Sequence, residues 1–206
     1  MIRMLAAATM LMVAVAAPAA AQERIFAPVG GISIIKPAAW YLIPPDESLA
    51  NLQGFEFEDP QVQRSLAAPL ITLTRDPIGT VGGIIPTIKV NYVAYPGIGR
   101  LGAMGAVVEI IDIMRGAYAD LKVLKAPYAA TIAGLPGARA LIAFSVRQNG
   151  RLLEGETEMV VIQRGNLGIY TLGYAYPAGQ AARGAADFDM VFASLRIDAG
   201  KPSPKP

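Results

Sequence analysis

Three carboxylates at alternate positions, Glu154, Glu156 and Glu158, are the residues of this chain best spaced for chemistry. On an extended strand, side chains two apart share a face, so the three stand in a row roughly 7 Å apart. If the flanking turns are tight, the row faces Ala143, Ser145, Gly173 and Ala175, which leaves a shallow acidic trough with Arg147 beside it. Such a trough suits a small cationic ligand, a basic peptide segment or a divalent metal. A solvated sheet face gives the same pattern, with Arg147 or Arg139 balancing the acids. Carboxylate pairs also hydrolyse glycosides, and this spacing fits an inverting pair better than a retaining one. With one tryptophan and no cleft readable from the residues, no catalytic residue is assigned.

Composition narrows the chemistry further. The 206 residues contain no histidine and no cysteine. That removes the usual general base, every Ser-His or Cys-His nucleophile, disulfides and the commonest zinc ligands. No cofactor is expected. Lys+Arg 18 against Asp+Glu 16 offers neither a nucleic-acid footprint nor a polybasic membrane patch.

The elements that must position the glutamates begin with two turns. Asn149-Gly150 is a strong two-residue hairpin signal, because a type I′ turn needs φ > 0 at both central residues. Gly165-Asn166 is a second turn pair. Together they predict a three-strand antiparallel meander over residues 139–176. Its register sets Glu154, Glu156 and Glu158 opposite Ser145, Ala143 and Leu141, with Glu158 facing Gly173 and Glu156 facing Ala175. Ile142, Phe144, Val146, Leu153, Met159, Val161, Tyr170, Leu172 and Tyr174 then make the apolar face, to be covered by two helices. The glutamates share the other face with Val160, Ile162, Ile169, Thr171 and Gly173.

Before the meander, residues 1–21 have a basic start, an apolar stretch from Leu5 to Ala17 and small residues at Ala19-Ala20-Ala21, the pattern of a cleaved signal peptide. The stretch is too short to span a membrane. The expected product is a secreted or periplasmic single domain over 22–198, with a disordered Pro/Lys tail at 199–206. Residues 22–28 read as a lead-in and 31–35 as a strand. Pro44-Pro45-Asp46 reads as a stop, and Trp40 as a core or edge anchor. Short strands follow at 55–58, 70–75 and 84–95. Glu56, Glu58 and Asp59 lack the spacing of a calcium loop and suit a solvated edge. Gly97-Ile98-Gly99-Arg100-Leu101-Gly102 matches a dinucleotide-binding pattern, but Lys89-Val90-Asn91-Tyr92 before it alternates like a half-exposed antiparallel strand. A helix over 99–119 with the stripe Leu101, Met104, Val107, Val108, Ile111, Met114 and Tyr118, a strand at 121–132, and a closing helix with Phe188, Val191, Phe192 and Leu195 inward complete the chain.

Two short stretches carry a family resemblance: Lys36-Pro37-Ala38-Ala39-Trp40 after the first strand, and the closing Phe188-Asp189-Met190-Val191-Phe192-Ala193-Ser194-Leu195. Between Gly31 and Ile197 the chain resembles the PsbP-like superfamily and its secreted bacterial relatives of the DcrB type. The resemblance implies an α+β fold, an antiparallel sheet of about six strands with two α-helices in an α/β/α sandwich, and an accessory, binding or assembly role without a catalytic constellation. The functional expectation is therefore a non-enzymatic periplasmic binding or accessory protein. The alternatives are a carboxylate-only hydrolase and a structural subunit of an envelope complex that docks through Val160, Ile162 and Ile169. An envelope protein or a small cationic ligand is the partner to look for, with Glu154, Glu156, Glu158 and Arg147 as the binding residues.

Overall fold

A computed structural model describes residues 23–80, 82–94 and 100–198. The leader, the tail and the first half of the glycine motif lie outside the described residues. The chain runs β1 (Glu23–Ala27), β2 (Ile32–Lys36), β3 (Tyr41–Ile43), α1 (Pro45–Gln53), β4 (Phe55–Glu56), α2 (Pro60–Ser65), β5 (Ile71–Thr74) and β6 (Thr87–Val93). It continues through α3 (Gly102–Ala117), β7 (Ala119–Ile132), β8 (Leu135–Gln148), β9 (Arg151–Arg164), β10 (Gly168–Pro177), α4 (Ala185–Ala193) and β11 (Arg196–Ile197).

Among the described residues the strands form an eight-stranded sheet, ordered β3-β5-β6-β10-β9-β8-β4 with β7 also on β8, and a three-stranded sheet β1-β2-β11. The α+β class and the antiparallel meander hold, while the expected six strands and two helices were too few. The lead-in is a strand, because Glu23–Ala27 pairs along the whole of β2. Pro44-Pro45 ends β3 after Ile43, as expected, and then starts a helix. Pro45 occupies the first turn, where its missing N–H costs nothing, and Asp46 and Glu47 favour the positive helix end. Asp59 likewise caps α2 by accepting from the Gln61 N–H at 2.7 Å. β6 is antiparallel to both β5 and β10, so the strand before the glycine motif belongs to no parallel nucleotide-binding unit.

The first hairpin follows the expected register. Asn149 and Gly150 have φ of 50° and 73°, and Leu141, Ala143 and Ser145 face Glu158, Glu156 and Glu154. The second does not. Its loop takes three residues, Gly165, Asn166 and Leu167, closed by the Leu167 N–H donating to the Arg164 carbonyl at 3.0 Å. Gly168 therefore pairs with Arg164, and Tyr174 and Tyr176, not Gly173 and Ala175, face Glu158 and Glu156. A slip of one residue turns every side chain of β10 over.

Both faces of the sheet are consequently buried. On one, Val160, Ile162, Tyr170, Leu172, Tyr174 and Tyr176 pack with Ile32 and Ile34 of β2 and with Phe188 and Val191 of α4. On the other, Ala138, Ala140, Ile142, Met159, Val161 and Ile169 pack under Ala103, Ala106, Val107 and Ile111 of α3. The two helices thus lie on opposite sides of the sheet, as in the α/β/α sandwich that the resemblance implied, and not both on the apolar face of the meander. The expected α3 stripe is also rotated: Leu101, Met104 and Val108 are exposed, while Ala103, Ala106 and Ala117 go inward. Alanines on both surfaces let the helix sit close to the sheet.

Trp40 is the anchor anticipated for it. Its ring lies 6.4 Å from Tyr174, and its indole N–H donates to Asp187 Oδ2 at 2.8 Å, which also accepts from Arg75 at 2.8 Å. Trp40→Phe is expected to cost about 2 kcal/mol, from the lost volume and one charge-assisted hydrogen bond. A lower urea midpoint at unchanged slope would show it.

Candidate functional site

The glutamate row lies on the face shared with β2 and α4. Glu158 is ion-paired with Arg139, whose Nε donates at 2.8 Å and whose guanidinium lies 4.8 Å from the Phe192 ring. Glu156 Oε1 accepts from the Gly179 N–H at 3.2 Å, and Glu154 is exposed. Arg147 is exposed at the far end of β8, opposite Leu152 and Glu56, and forms no ion pair with the row. Where the sequence suggested glycine and alanine beside the row, the rings of Tyr174 and Tyr176 stand. Burial, followed by the Glu156 carboxylate, pushes the Tyr176 phenol above its ordinary range. Within the described residues, no cluster of three or more acids is arranged to hold a metal ion.

The small residues displaced from that face make a cleft on the other one. Thr171, Gly173 and Ala175 of β10 and Thr157 of β9 point toward the α3 side, where their small size leaves space. The cleft measures about 530 Å³, within the usual 300–1,000 Å³ of small-molecule sites. Ile110 and Met114 of α3 and the aromatics Phe55, Phe57 and Tyr118 line it, together with Ile78, Ile84 and Ile85 from the β5–β6 connection. Phe57, Tyr118 and Phe144 form a continuous aromatic wall, with ring centroids 5.4 Å and 4.8 Å apart. Burial holds the Tyr118 phenol up at about 12.

Lys89 is the single charged residue among the described lining residues. It sits mid-strand in β6, opposite Gly173 on β10 and Thr72 on β5. Among the described residues its ammonium forms no hydrogen bond or ion pair, and burial alone lowers its pKa from 10.5 to about 8. Two residues along the same face, the Asn91 amide reaches the Thr171 hydroxyl at 3.4 Å. The arrangement is an apolar cleft with one unpaired cation and a few neutral polar groups beside it. Sequence reasoning passed over Lys89 because its alternation with Val90 suits an ordinary solvated face. The signal available was a lone lysine amid Ile88, Val90 and the apolar 78–85 run.

No family model and no curated protein matches the chain. Several solved structures do. A protein of Bacteroides thetaiotaomicron VPI-5482 is 12% identical over 89% of this chain, which spans about half of that protein (51%), at a TM-score of 0.49. LpqN of Mycobacterium tuberculosis, described as involved in cell envelope biogenesis, is 15% identical over 86% of each chain at 0.46. Cyanobacterial PsbP from Synechocystis is 13% identical over 85% of this chain and 92% of its own at 0.48. At such identities none of them speaks to a ligand or partner of this chain.

Proposed function

We propose that the chain is a non-enzymatic, extracytoplasmic binding protein that takes a small, largely apolar molecule into the cleft between α3 and the sheet. The location rests on the leader pattern of residues 1–21, and no described helix is long and apolar enough to cross a membrane. The observation that carries the binding reading is the floor of Thr157, Thr171, Gly173 and Ala175 beneath a wall of Phe57, Tyr118 and Phe144. A sheet face meant only to be buried would be filled by larger side chains, as its other end is by Met159, Val161 and Ile169. Open apolar space of this size, with a few polar groups, is how small-molecule sites are built.

A neutral solvatochromic dye such as N-phenyl-1-naphthylamine should bind and brighten in the cleft. A Cβ on Gly173 would have the Thr157 hydroxyl, at 3.6 Å, as its one close neighbour, so a side chain there projects into open space. Gly173→Phe is therefore expected to abolish dye binding while leaving the unfolding midpoint unchanged or higher. A dye that ignores the protein, or binds the variant as well as the parent, would overturn this reading.

A further inference from the structure

We infer that the cleft selects a monoanionic amphiphile, an apolar body ending in one carboxylate, and that the Lys89 ammonium is the group that recognises the acid. This deepens the binding function proposed above and rests on it. Lys89 projects from a strand beside the floor of the cleft, and among the described residues no acid, backbone carbonyl or hydroxyl is bonded to its ammonium. A cation held among apolar groups without a counter-ion is unfavourable, and an anion brought by a ligand removes that cost as it binds.

The charge count favours a carboxylate over a phosphate. One ammonium neutralises one negative charge, and a phosphate monoester would leave a second charge uncompensated among Ile84, Ile110, Met114 and Phe144. The neighbouring donors also fit a carboxylate. The Asn91 amide and the Thr171 hydroxyl are on the same face as Lys89. A lysine is a compact point charge on a flexible stem, which suits a head group able to settle at more than one position. The rest of the lining is neutral, so the tail meets Phe55, Phe57, Ile78 and Met114.

The test displaces the neutral dye from the intact protein at pH 7 with decanoic acid and, in parallel, with decan-1-ol and methyl decanoate. Decanoic acid should displace at least about tenfold better than the alcohol or the ester, as expected for a hydrogen bond between charged partners in an apolar site. In Lys89→Met the dye should still bind, and the preference for the acid should vanish. Equal displacement by acid, alcohol and ester from a protein that does bind the dye overturns the role of Lys89 and leaves the cleft standing. A preference for the acid that survives in Lys89→Met overturns it too. Absence of dye binding in the parent, with Gly173→Phe behaving identically, defeats the cleft itself and the inference with it.

Discussion

Lys89→Met is expected to make the ligand-free protein more stable at pH 7, by about 2 kcal/mol, although almost any other lysine could be changed with little effect. The folded-state pKa of Lys89, about 8, lies below the 10.5 of a free lysine, because burial disfavours the charged form. Below about pH 8 the lysine is protonated in both states, and the full cost of the buried charge is present. Between about 8 and 10.5 the unfolded chain holds a proton that the folded chain has released, so the cost shrinks as pH rises. Above 10.5 it is gone. A shift of this size corresponds to about 3 kcal/mol, and contact of the half-buried side chain with water in the cleft brings the figure down. Tyr118, the other titratable group facing the cleft, acts in the opposite sense between about pH 10 and 12, but it does so equally in parent and variant. The difference in urea stability between the two proteins at pH 7, 9 and 10.5 therefore isolates the lysine. A parent as stable as Lys89→Met at pH 7 would show that the charge is already satisfied. Confirmation would mark Lys89 as a residue that lowers stability, which is common at functional sites.

Gly168→Ala is expected to cost about 3 kcal/mol or more, or to prevent folding. A methyl group at this position would fall on the Val93 carbonyl oxygen, inside any allowed separation, and 3.1 Å from the Ala94 Cα. Both neighbours are backbone, so no rotamer change relieves the clash. Gly165→Ala in the same loop makes a suitable control. It also has positive φ, 54°, but nothing lies within 4 Å of its Cβ position, so it should lose only about 1 kcal/mol of conformational preference. If the two variants unfolded at the same urea concentration, close approach at Gly168 would not be what secures the β9–β10 register. The alternative two-residue turn would rescue neither variant, because it would send Tyr170, Tyr174 and Tyr176 to the α3 side and Gly173 to the β2 side.

That one-residue difference separates what local pattern could say from what packing decided. Asn149-Gly150 specified the first hairpin outright, since few dipeptides accept φ > 0 at both positions, and the Glu154, Glu156 and Glu158 row followed with its β8 partners correct. Trp40 as an anchor, the antiparallel alternation around Lys89 and the inward Phe188 and Val191 were equally legible from local pattern. Gly165-Asn166 was not decisive. A run such as Ile169-Tyr170-Thr171-Leu172-Gly173-Tyr174 carries bulky apolar residues in both phases, so alternation alone left its facing open. Burial of the sheet on both sides settled it, giving the aromatic phase of β10 to β2 and α4 and leaving the small phase under α3. Composition and short-range turn chemistry determined that this is an antiparallel α+β protein without histidine or thiol chemistry. Only the tertiary structure decided on which side of the sheet the open space lies, and hence that a lysine rather than three glutamates faces it, because strand register is a long-range property set by whole packed faces.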